Sequence, residues 1–206
     1  MNEKPILFSA PMVRAILTDQ KTETRRIIAP QPGEEWNGLE IRCHFYNPTA
    51  IDRHGEEYPG EEIFGFADTD SGWKCPYGAP GDRLWIREGF CYVQGDGRDA
   101  DFGIKYLSDD TIIWWRDNAG EMNYPIDQRK RPSIFMPRKF SRITLEILNI
   151  EVKRLQNMIL PDYNAEGFGI ALEFTVLWNR IHRKDRWTWD KNPWVWIIQF
   201  KRIKST

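Results

Sequence analysis

Two long segments with strand-like alternation dominate the second half of the 206-residue chain. In residues 142–155 the apolar side chains Ile143, Leu145 and Ile147 alternate with Thr144 and Glu146, and residues 193–203 alternate in the same way. A period of two predicts strands with distinct faces. Between them, residues 161–166 and 171–181 have the composition and wide apolar coverage of short helices. The second half of the chain therefore mixes predicted strands with predicted helices.

The first half of the chain adds one helix and several shorter strands. Ser9 and Pro11 form a helix-start signature, and the polar residues 21–26 lead into a strand at Ile27 and Ile28. Residues 83–87 predict a strand, and residues 103–107 and 111–115 predict a hairpin. Because the order is helix, strands, helices, strand, without a βαβ rhythm, the pattern favours an α+β fold built on a small mixed barrel.

Charge, cysteine content and hydropathy limit the class of protein. The formal charge of −1 excludes a generally basic chain that coats nucleic acid, so any nucleic-acid or nucleotide site must be local. No stretch is long and apolar enough to predict a membrane span, and the start of the chain has no secretory h-region. Together with the odd number of cysteines, three, this predicts a cytoplasmic protein without a disulfide framework or a membrane partner.

Several segments resemble a known family. The run DQKTETRR at residues 19–26 resembles the G-x-K-x-x-[E/T]-x-R signature of the ASCH domain, a PUA-like β-barrel family. Residues 164–167 resemble its later acidic segment, and residues 194–203 its closing strand. Residues 75–78, 80–88 and 132–138 resemble a larger ASCH group that is common in bacteriophages and prophages. The resemblance implies a single ASCH domain over residues 1–206, a PUA-like mixed β-barrel with flanking short helices and long loop insertions near 31–80 and 117–137.

The resemblance also implies a chemistry. One bacterial branch of the superfamily consists of N(4)-acetylcytidine amidohydrolases, which use a Lys, a Thr three residues later and a downstream Glu. The matching positions here are Lys21, Thr24 and Glu166, which are the expected catalytic residues. The expected substrate is a small nucleoside carrying an N(4)-acyl group or a related small amide, and no metal or other cofactor is expected. Two features depart from the family: Asp19 stands at the motif's glycine, and the chain is much longer than the small enzymes.

The residue types fit acyl transfer. A threonine hydroxyl needs a neighbouring base, and Lys21 can act as one only when its amine is neutral. Burial and the charges of Arg25 and Arg26 are expected to lower the pKa of Lys21. The spacing requires Lys21 to lie on a turn and Thr24 just inside a strand. Two mechanisms fit: attack by Thr24 itself, or attack by a water that Lys21 activates. Glu166 is expected either to orient Lys21 or to accept a hydrogen bond from the exocyclic amine of the substrate.

Three further residues are expected to bind the substrate. Arg26 shares the predicted strand face of Thr24 and is expected to anchor a substrate oxygen. Trp85 or Phe135 is expected to stack on the pyrimidine, with Trp115 as another candidate. The segment 132–137 is extended by its prolines and fits either a lid or core packing of its apolar side chains.

Other interpretations of the same residues remain open. Residues 21–26 also fit a plain polar connection into an edge strand, and the fold also fits an accessory protein without activity. A basic cluster fits either a solvated loop or, as the alternative function, an RNA-binding or RNA-cleaving module; it consists of Arg129, Lys130, Arg131, Arg138 and Arg142. The candidate metal ligands Cys43, His44, His54 and Cys75 have spacings that fit no standard zinc site.

Overall fold

The architecture is α+β. A computed structural model describes residues 1–68, 71–94, 101–116, 128–184 and 187–203. Its helices are α1 (Ala10–Leu17), α2 (Leu160–Ala165) and α3 (Ala171–His182). Its strands are β1 (Glu3–Leu7), β2 (Glu23–Ile27), β3 (His44–Tyr46), β4 (Thr49–Ile51), β5 (Glu57–Pro59), β6 (Ile63–Ala67), β7 (Gly72–Lys74), β8 (Arg83–Arg87), β9 (Phe90–Gln94), β10 (Asp101–Tyr106), β11 (Ile112–Arg116), β12 (Thr144–Arg154) and β13 (Trp194–Ile203).

The two long alternating segments form the centre of the main sheet. This sheet has the order β1-β8-β12-β13-β2, and β12 and β13 pair along almost their whole lengths. The β1–β8 pair is parallel, whereas the other neighbours are antiparallel. Thus strand β2, which carries Thr24, lies beside the closing strand β13. The sequence prediction of strands at both long segments is confirmed.

The two faces of this sheet have different coverings. One face contributes Leu84, Ile86 and Ile198 to the largest apolar core, against which α1 packs Val13 and Ile16. On the opposite face, α2 and α3 cover the β13–β2 end through a second core, formed by Leu155, Tyr163, Phe174, Trp178, Val195 and Ile197. The β1–β8 end of this second face instead carries charged and aromatic side chains, including Arg83 and Trp85.

The predicted closed barrel is not confirmed. Among the described residues, strands β9, β10 and β11 form a separate three-stranded sheet, strands β3, β6 and β7 form another, and β4 and β5 form a pair. These sheets remain open, so the structure establishes the α+β class and not the barrel. The predicted hairpin is confirmed as β10 and β11, which pair antiparallel.

The region near 31–80, predicted as an extended loop or insertion, contains five short strands, β3 to β7. They have only three to five residues each, too few to show alternation between the many glycines and prolines. Gly65 marks a close strand contact, since a Cβ there would lie 1.9 Å from the carbonyl oxygen of Trp73. The sequence reasoning also missed β1 and β9. In the second predicted insertion, residues 117–127 lie outside the described residues.

None of the described helices has the length and apolar character needed to cross a bilayer.

Candidate active site

The turn after α1 directs Lys21 into the protein. Asp19 adopts a left-handed backbone with φ of 57° and forms an ion pair with Arg202, at 3.2 Å between Oδ1 and Nε. The amides of Gln20 and Lys21 both donate to the carbonyl oxygen of Ala15, at 2.8 and 3.0 Å. Aspartate tolerates this conformation better than most residues other than glycine. Asp19 therefore supports this tight turn, and Lys21 lies before β2 as the spacing predicts.

Lys21 is buried against Glu166. Only 2% of Lys21 is exposed, and its ammonium donates both to the backbone oxygen of Glu166, at 2.9 Å, and to the carboxylate oxygen Oε2. The next residue is also fixed, since the Thr22 amide donates to the Ala165 oxygen at 2.8 Å and the Phe200 amide donates to the Thr22 oxygen at 2.9 Å. The end of α2 and strand β13 thus hold in place the segment between α1 and β2, residues 18–22, which is called the lysine loop below.

Gly167 allows Glu166 to approach the lysine. This glycine has φ of +86°, a region that favours glycine, and a Cβ there would lie 3.1 Å from Ala15 Cβ and 3.3 Å from Lys21 Cβ. Its amide donates to the Asn164 oxygen at 2.9 Å, closing the end of α2. The pair Glu166-Gly167 therefore turns the chain tightly enough to place the carboxylate on Lys21.

Arg25 fixes the other oxygen of the Glu166 carboxylate. The Arg25 amide donates to Glu166 Oε1 at 2.6 Å, and its Nη1 lies 3.3 Å from the same oxygen. The Arg25 guanidinium also pairs with Glu23 at 2.6 Å and with Asp162 at 3.3 Å. Sequence reasoning treated Arg25 only as a charge near Lys21 and missed Glu23 and Asp162. The spacing of Asp162 and Glu166, one helical turn apart, was the available signal.

Thr24 and Arg26 lie on one face of β2. They pair opposite Ile198 and Trp196, whose side chains belong to the largest apolar core, so both point to that side of the sheet. Thr24 is 1% exposed. The guanidinium carbon of Arg26 lies 5.0 Å from the centre of the Phe8 ring, and Lys21 Nζ lies 5.9 Å from the same centre.

The Phe8 ring therefore lies near both the Lys21 ammonium and the Arg26 guanidinium, which is on the Thr24 face of β2. Arg26 also donates from Nη2 to the Leu7 oxygen at 2.6 Å. Among the described residues the Lys21 ammonium donates to Glu166, and no hydrogen bond joins it to the Thr24 hydroxyl. The structure thus brings Lys21 and Glu166 into direct contact, and places Thr24 on the same strand face as the expected anchor, Arg26.

Lys21, Thr24, Arg25, Arg26 and Glu166 are called the Lys21 cluster below. Burial controls the ionisation of its charged groups. Burial lowers the pKa of Lys21, the Glu166 carboxylate opposes this effect, and the charges of Arg26 and Arg25 lower the pKa further. The direction and causes expected from sequence are confirmed. Burial also lowers the pKa of the Arg26 guanidinium and raises the pKa of the Glu23 carboxyl. The neutral amine of Lys21 is therefore more accessible than for a lysine in water.

A cavity of about 470 Å³ adjoins the lysine loop, within the range of sites for small molecules. Lys21 and Glu23 line it, whereas Thr24 and Glu166 are not among its lining residues. Its other walls come from α1, the end of α2 and the bulged region of the β12–β13 pair, through Ile16, Asp19, Thr22, Leu148, Ala165, Gln199, Phe200, Lys201 and Arg202. A ligand there would reach Thr24 only after side chains move.

The two aromatic residues expected to stack on the substrate lie elsewhere. Trp85 lies between the core residues Leu84 and Ile86 on β8, so its ring is on the face opposite that of Thr24. Phe135 is 66% exposed in a 3-10 turn that packs near β8. The structure does not bring either ring to the Lys21 cluster, which corrects the expected site. The side chain of Trp115 lies outside the described residues.

The segment 132–137 combines buried and exposed side chains. Met136 is buried in the core of the β9–β10–β11 sheet, whereas Ile134 is 55% exposed. The expected core packing therefore holds for neither Ile134 nor Phe135. Their exposure follows from the 3-10 turn, which directs both side chains outward while Met136 faces the core.

The predicted basic cluster is partly neutralised. Arg142 pairs with Glu88 and Asp109, each at 2.9 Å, and Arg138 pairs with Glu3 at 2.9 Å. Arg129 and Lys130 have exposed side chains, while the Arg131 guanidinium lies 4.9 Å from the centre of the Tyr92 ring. Arg142 thus links the residues before β12 to the loop between β10 and β11, and Arg138 is linked to β1. Part of the positive charge of the basic cluster is therefore neutralised within the protein.

The candidate metal ligands do not converge. In the described part of the chain, no group of three or more His, Cys, Asp or Glu side chains is arranged to hold a metal ion. Burial raises the pKa of Cys43 to about 12 and that of Cys75 to about 11, so both thiols stay protonated near neutral pH.

Comparisons with protein-family models, with curated proteins and with solved structures give no match.

Proposed function

We propose that this protein is an amidohydrolase that removes an acyl group from an N(4)-acylated cytosine nucleoside or a related small amide, in the cytoplasm. The observation that carries the proposal is the buried Lys21, held by two oxygens of Glu166 at the entrance to the strand of Thr24. The proposal takes the α+β frame as a PUA-like ASCH domain, in keeping with the motifs at residues 19–26 and 164–167.

The hydrogen bonds of Lys21 fit a general base. A neutral amine has two N–H groups and one lone pair, and Glu166 offers two acceptors, its backbone oxygen and Oε2. With both N–H groups donated to Glu166, the lone pair is free to accept the proton of a nucleophile. Arg25 holds the second carboxylate oxygen, so Glu166 acts as the residue that orients Lys21.

In the proposed reaction, Thr24 Oγ1 attacks the acyl carbonyl carbon while Lys21 accepts the hydroxyl proton. The tetrahedral intermediate collapses, the C–N4 bond breaks, and Lys21 returns the proton to the leaving amine. Water then hydrolyses the threonine ester, with Lys21 again as the base. Arg26 is the proposed contact for an oxygen of the substrate. A single attack by a Lys21-activated water gives the same products, and only the first route forms an acyl-enzyme.

The cluster must open for this reaction, since Lys21, Thr24 and Glu166 are each 1–2% exposed. On the Thr24 face of β2, the Arg26 guanidinium lies over the Phe8 ring and donates to the Leu7 oxygen. A substrate oxygen that replaces the Leu7 oxygen would draw Arg26 away from this position. Arg26→Ala should therefore change KM for the amide more than it changes kcat.

The test is release of cytidine from N(4)-acetylcytidine by purified protein, followed by chromatography. Lys21→Ala and Thr24→Ala should each lower the rate by about 10²–10⁴-fold. Thr49→Ala is the matched control, because Thr49 is exposed on β4 and lines neither the cavity nor the cluster. Absence of cytidine release, or unchanged rates in the Lys21 and Thr24 variants, contradicts the proposal.

The alternative function, an RNA-binding or RNA-cleaving module, predicts different results in assays with RNA. RNA retention that weakens steeply with salt, and that Arg129→Ala and Arg131→Ala reduce, would favour an RNA-binding module. RNA cleavage without cytidine release would favour a nuclease. We favour the amidohydrolase because Arg138 and Arg142 already have carboxylate partners.

A further inference from the structure

A polar cavity lies on the face of the main sheet opposite to that of Thr24. It has a volume of about 300 Å³ and opens beside the paired strands β1, β8 and β12. Arg83 and Trp85 point to this face, whereas Thr24 points to the opposite one. The polar side chains around the cavity are three arginines, two hydroxyl residues and one carboxylate, namely Arg83, Arg138, Arg142, Ser141, Thr144 and Glu3.

Arg83 has unused hydrogen-bonding capacity in this cavity. Among the described residues its guanidinium forms no hydrogen bond and no ion pair within 4 Å, and its Nε is fully buried without a partner. The Glu146 carboxylate, opposite Arg83 on β12, already accepts from Lys201 at 3.0 Å. Since a buried donor is costly to leave unpaired, Arg83 lacks an acceptor that a bound anion would supply.

Arg138 and Thr144 complete the available donors. Arg138 uses Nε to bind Glu3 at 2.9 Å, which leaves its terminal nitrogens. Thr144 lines the same cavity and offers a hydroxyl group. Arg142 differs, because five hydrogen bonds to Glu88, Ser108 and Asp109 occupy its guanidinium. Arg142 is therefore a wall of the cavity, Arg83 supplies its unpaired positive charge, and Arg138, although paired with Glu3, adds N–H donors.

The ring of Trp85, which is not itself among the residues lining the cavity, adjoins Arg138. Trp85 pairs across the sheet with Thr144, and its ring centre lies 5.8 Å from the guanidinium carbon of Arg138 and 5.4 Å from that of Arg87. Guanidinium groups match the geometry of phosphate oxygens, and indole rings stack on nucleobases. We propose that this cavity binds the phosphate group of a nucleotide between Arg83 and Arg138, with the base against Trp85.

Glu3 allows the proposal to predict the direction in which a substitution changes phosphate affinity. Its carboxylate lines the cavity and occupies Arg138, and the hydrogen bond from Arg138 lowers the pKa of Glu3, which keeps it ionised at neutral pH. A phosphate must bind against this negative charge. Glu3→Gln therefore removes a competitor and should strengthen phosphate binding, whereas a purely structural role for the Glu3–Arg138 pair predicts no gain.

The experiment is calorimetric titration of the full chain with cytidine 5′-monophosphate, inorganic phosphate and cytidine. We expect the nucleotide to bind more tightly than either of the other two. Arg83→Gln should weaken nucleotide binding about tenfold or more, the effect of losing a charged hydrogen bond, and Glu3→Gln should strengthen it. Arg42→Gln is the matched control, because Arg42 is exposed and pairs only with Glu40 among the described residues.

Further arms identify the source of the phosphate. A short single-stranded oligonucleotide that binds more tightly than the mononucleotide, with a steep salt dependence, would assign the phosphate to a nucleic acid. Tighter binding of the mononucleotide would assign it to a free nucleotide. No binding of any phosphate at low salt, equal affinity for nucleotide and cytidine, or wild-type affinity in Arg83→Gln would overturn the site. Because Arg83 and Glu3 line this cavity and neither belongs to the site of the proposed hydrolysis, opposite changes of affinity in Arg83→Gln and Glu3→Gln assign the binding here whether or not the protein hydrolyses amides.

Discussion

Replacing Glu166 by glutamine isolates the ionic part of its contact with Lys21. Glutamine keeps the shape of the side chain and can still accept from the Arg25 amide, so the main loss is the carboxylate charge. Lys21 has a fully buried side chain, and its ammonium would then have no carboxylate among its hydrogen-bond partners. Removing one partner of a buried ion pair costs about 3–5 kcal/mol of unfolding free energy. This is a large fraction of a typical stability of about 5–15 kcal/mol.

The size of the loss should depend on pH, with a defined sign. Burial lowers the pKa of Lys21 in the folded protein, and the Glu166 carboxylate raises it. Glu166→Gln therefore lowers the folded-state pKa of Lys21 further below the value of the unfolded chain. Above that lowered pKa, the unfolded variant binds more protons than the folded variant, so its stability rises with pH. The difference from wild type should shrink by up to about 1.4 kcal/mol per pH unit between the two folded-state pKa values.

The assay is urea denaturation monitored by circular dichroism, at several values between about pH 6 and 9, where lysine of ordinary pKa stays charged. The double variant Lys21→Met/Glu166→Gln removes both charges and should recover most of the loss, because no unpaired charge remains. Glu173→Gln, at an exposed position on α3, should change stability by less than about 0.5 kcal/mol. A loss that grows as the pH rises would contradict the sign, and a double variant no more stable than Glu166→Gln would refute a buried charged pair.

Three further predictions test the frame around the site. Arg142→Ala should destabilise the protein by about 3–5 kcal/mol in urea denaturation, since Glu88 is 2% exposed and loses its cation; a loss below about 1 kcal/mol would contradict this support. Gly167→Ala should lower Tm and cytidine release together, because the left-handed backbone there costs other residues about 1–3 kcal/mol and the new Cβ would press on Ala15; wild-type behaviour would refute the tight-turn argument. Cys43 and Cys75, with pKa values of about 12 and 11, should react with iodoacetamide near neutral pH only after unfolding, and mass spectrometry of the native protein showing fast modification of Cys75 would contradict its burial.

The parts of the fold that the sequence predicted are those with long, local signals. The strands β12 and β13, the helices α1 and α3 and the hairpin of β10 and β11 all carry periodic or turn patterns within one segment. The strands β3 to β7 have three to five residues each, too short for a pattern, and depend on pairing with one another. Strand β1 is fixed by parallel pairing with β8, about 80 residues away, which no local pattern signals.

The placement of Trp85 shows where local information ends. The alternation of residues 83–87 separates Leu84 and Ile86 from Trp85, and the structure confirms those two faces. Whether Trp85 and Thr24 share a face depends on the order β8-β12-β13-β2, which links segments about 60 residues apart and includes a bulge between Ile147 and Asn149. By contrast, the turn at Asp19 and the glycine after Glu166 constrain Lys21 locally. The sequence therefore predicts the chemical groups of the Lys21 cluster better than it predicts the rings that would contact a substrate. The same sheet order places Trp85 beside Arg138, at the arginine cavity on the opposite face.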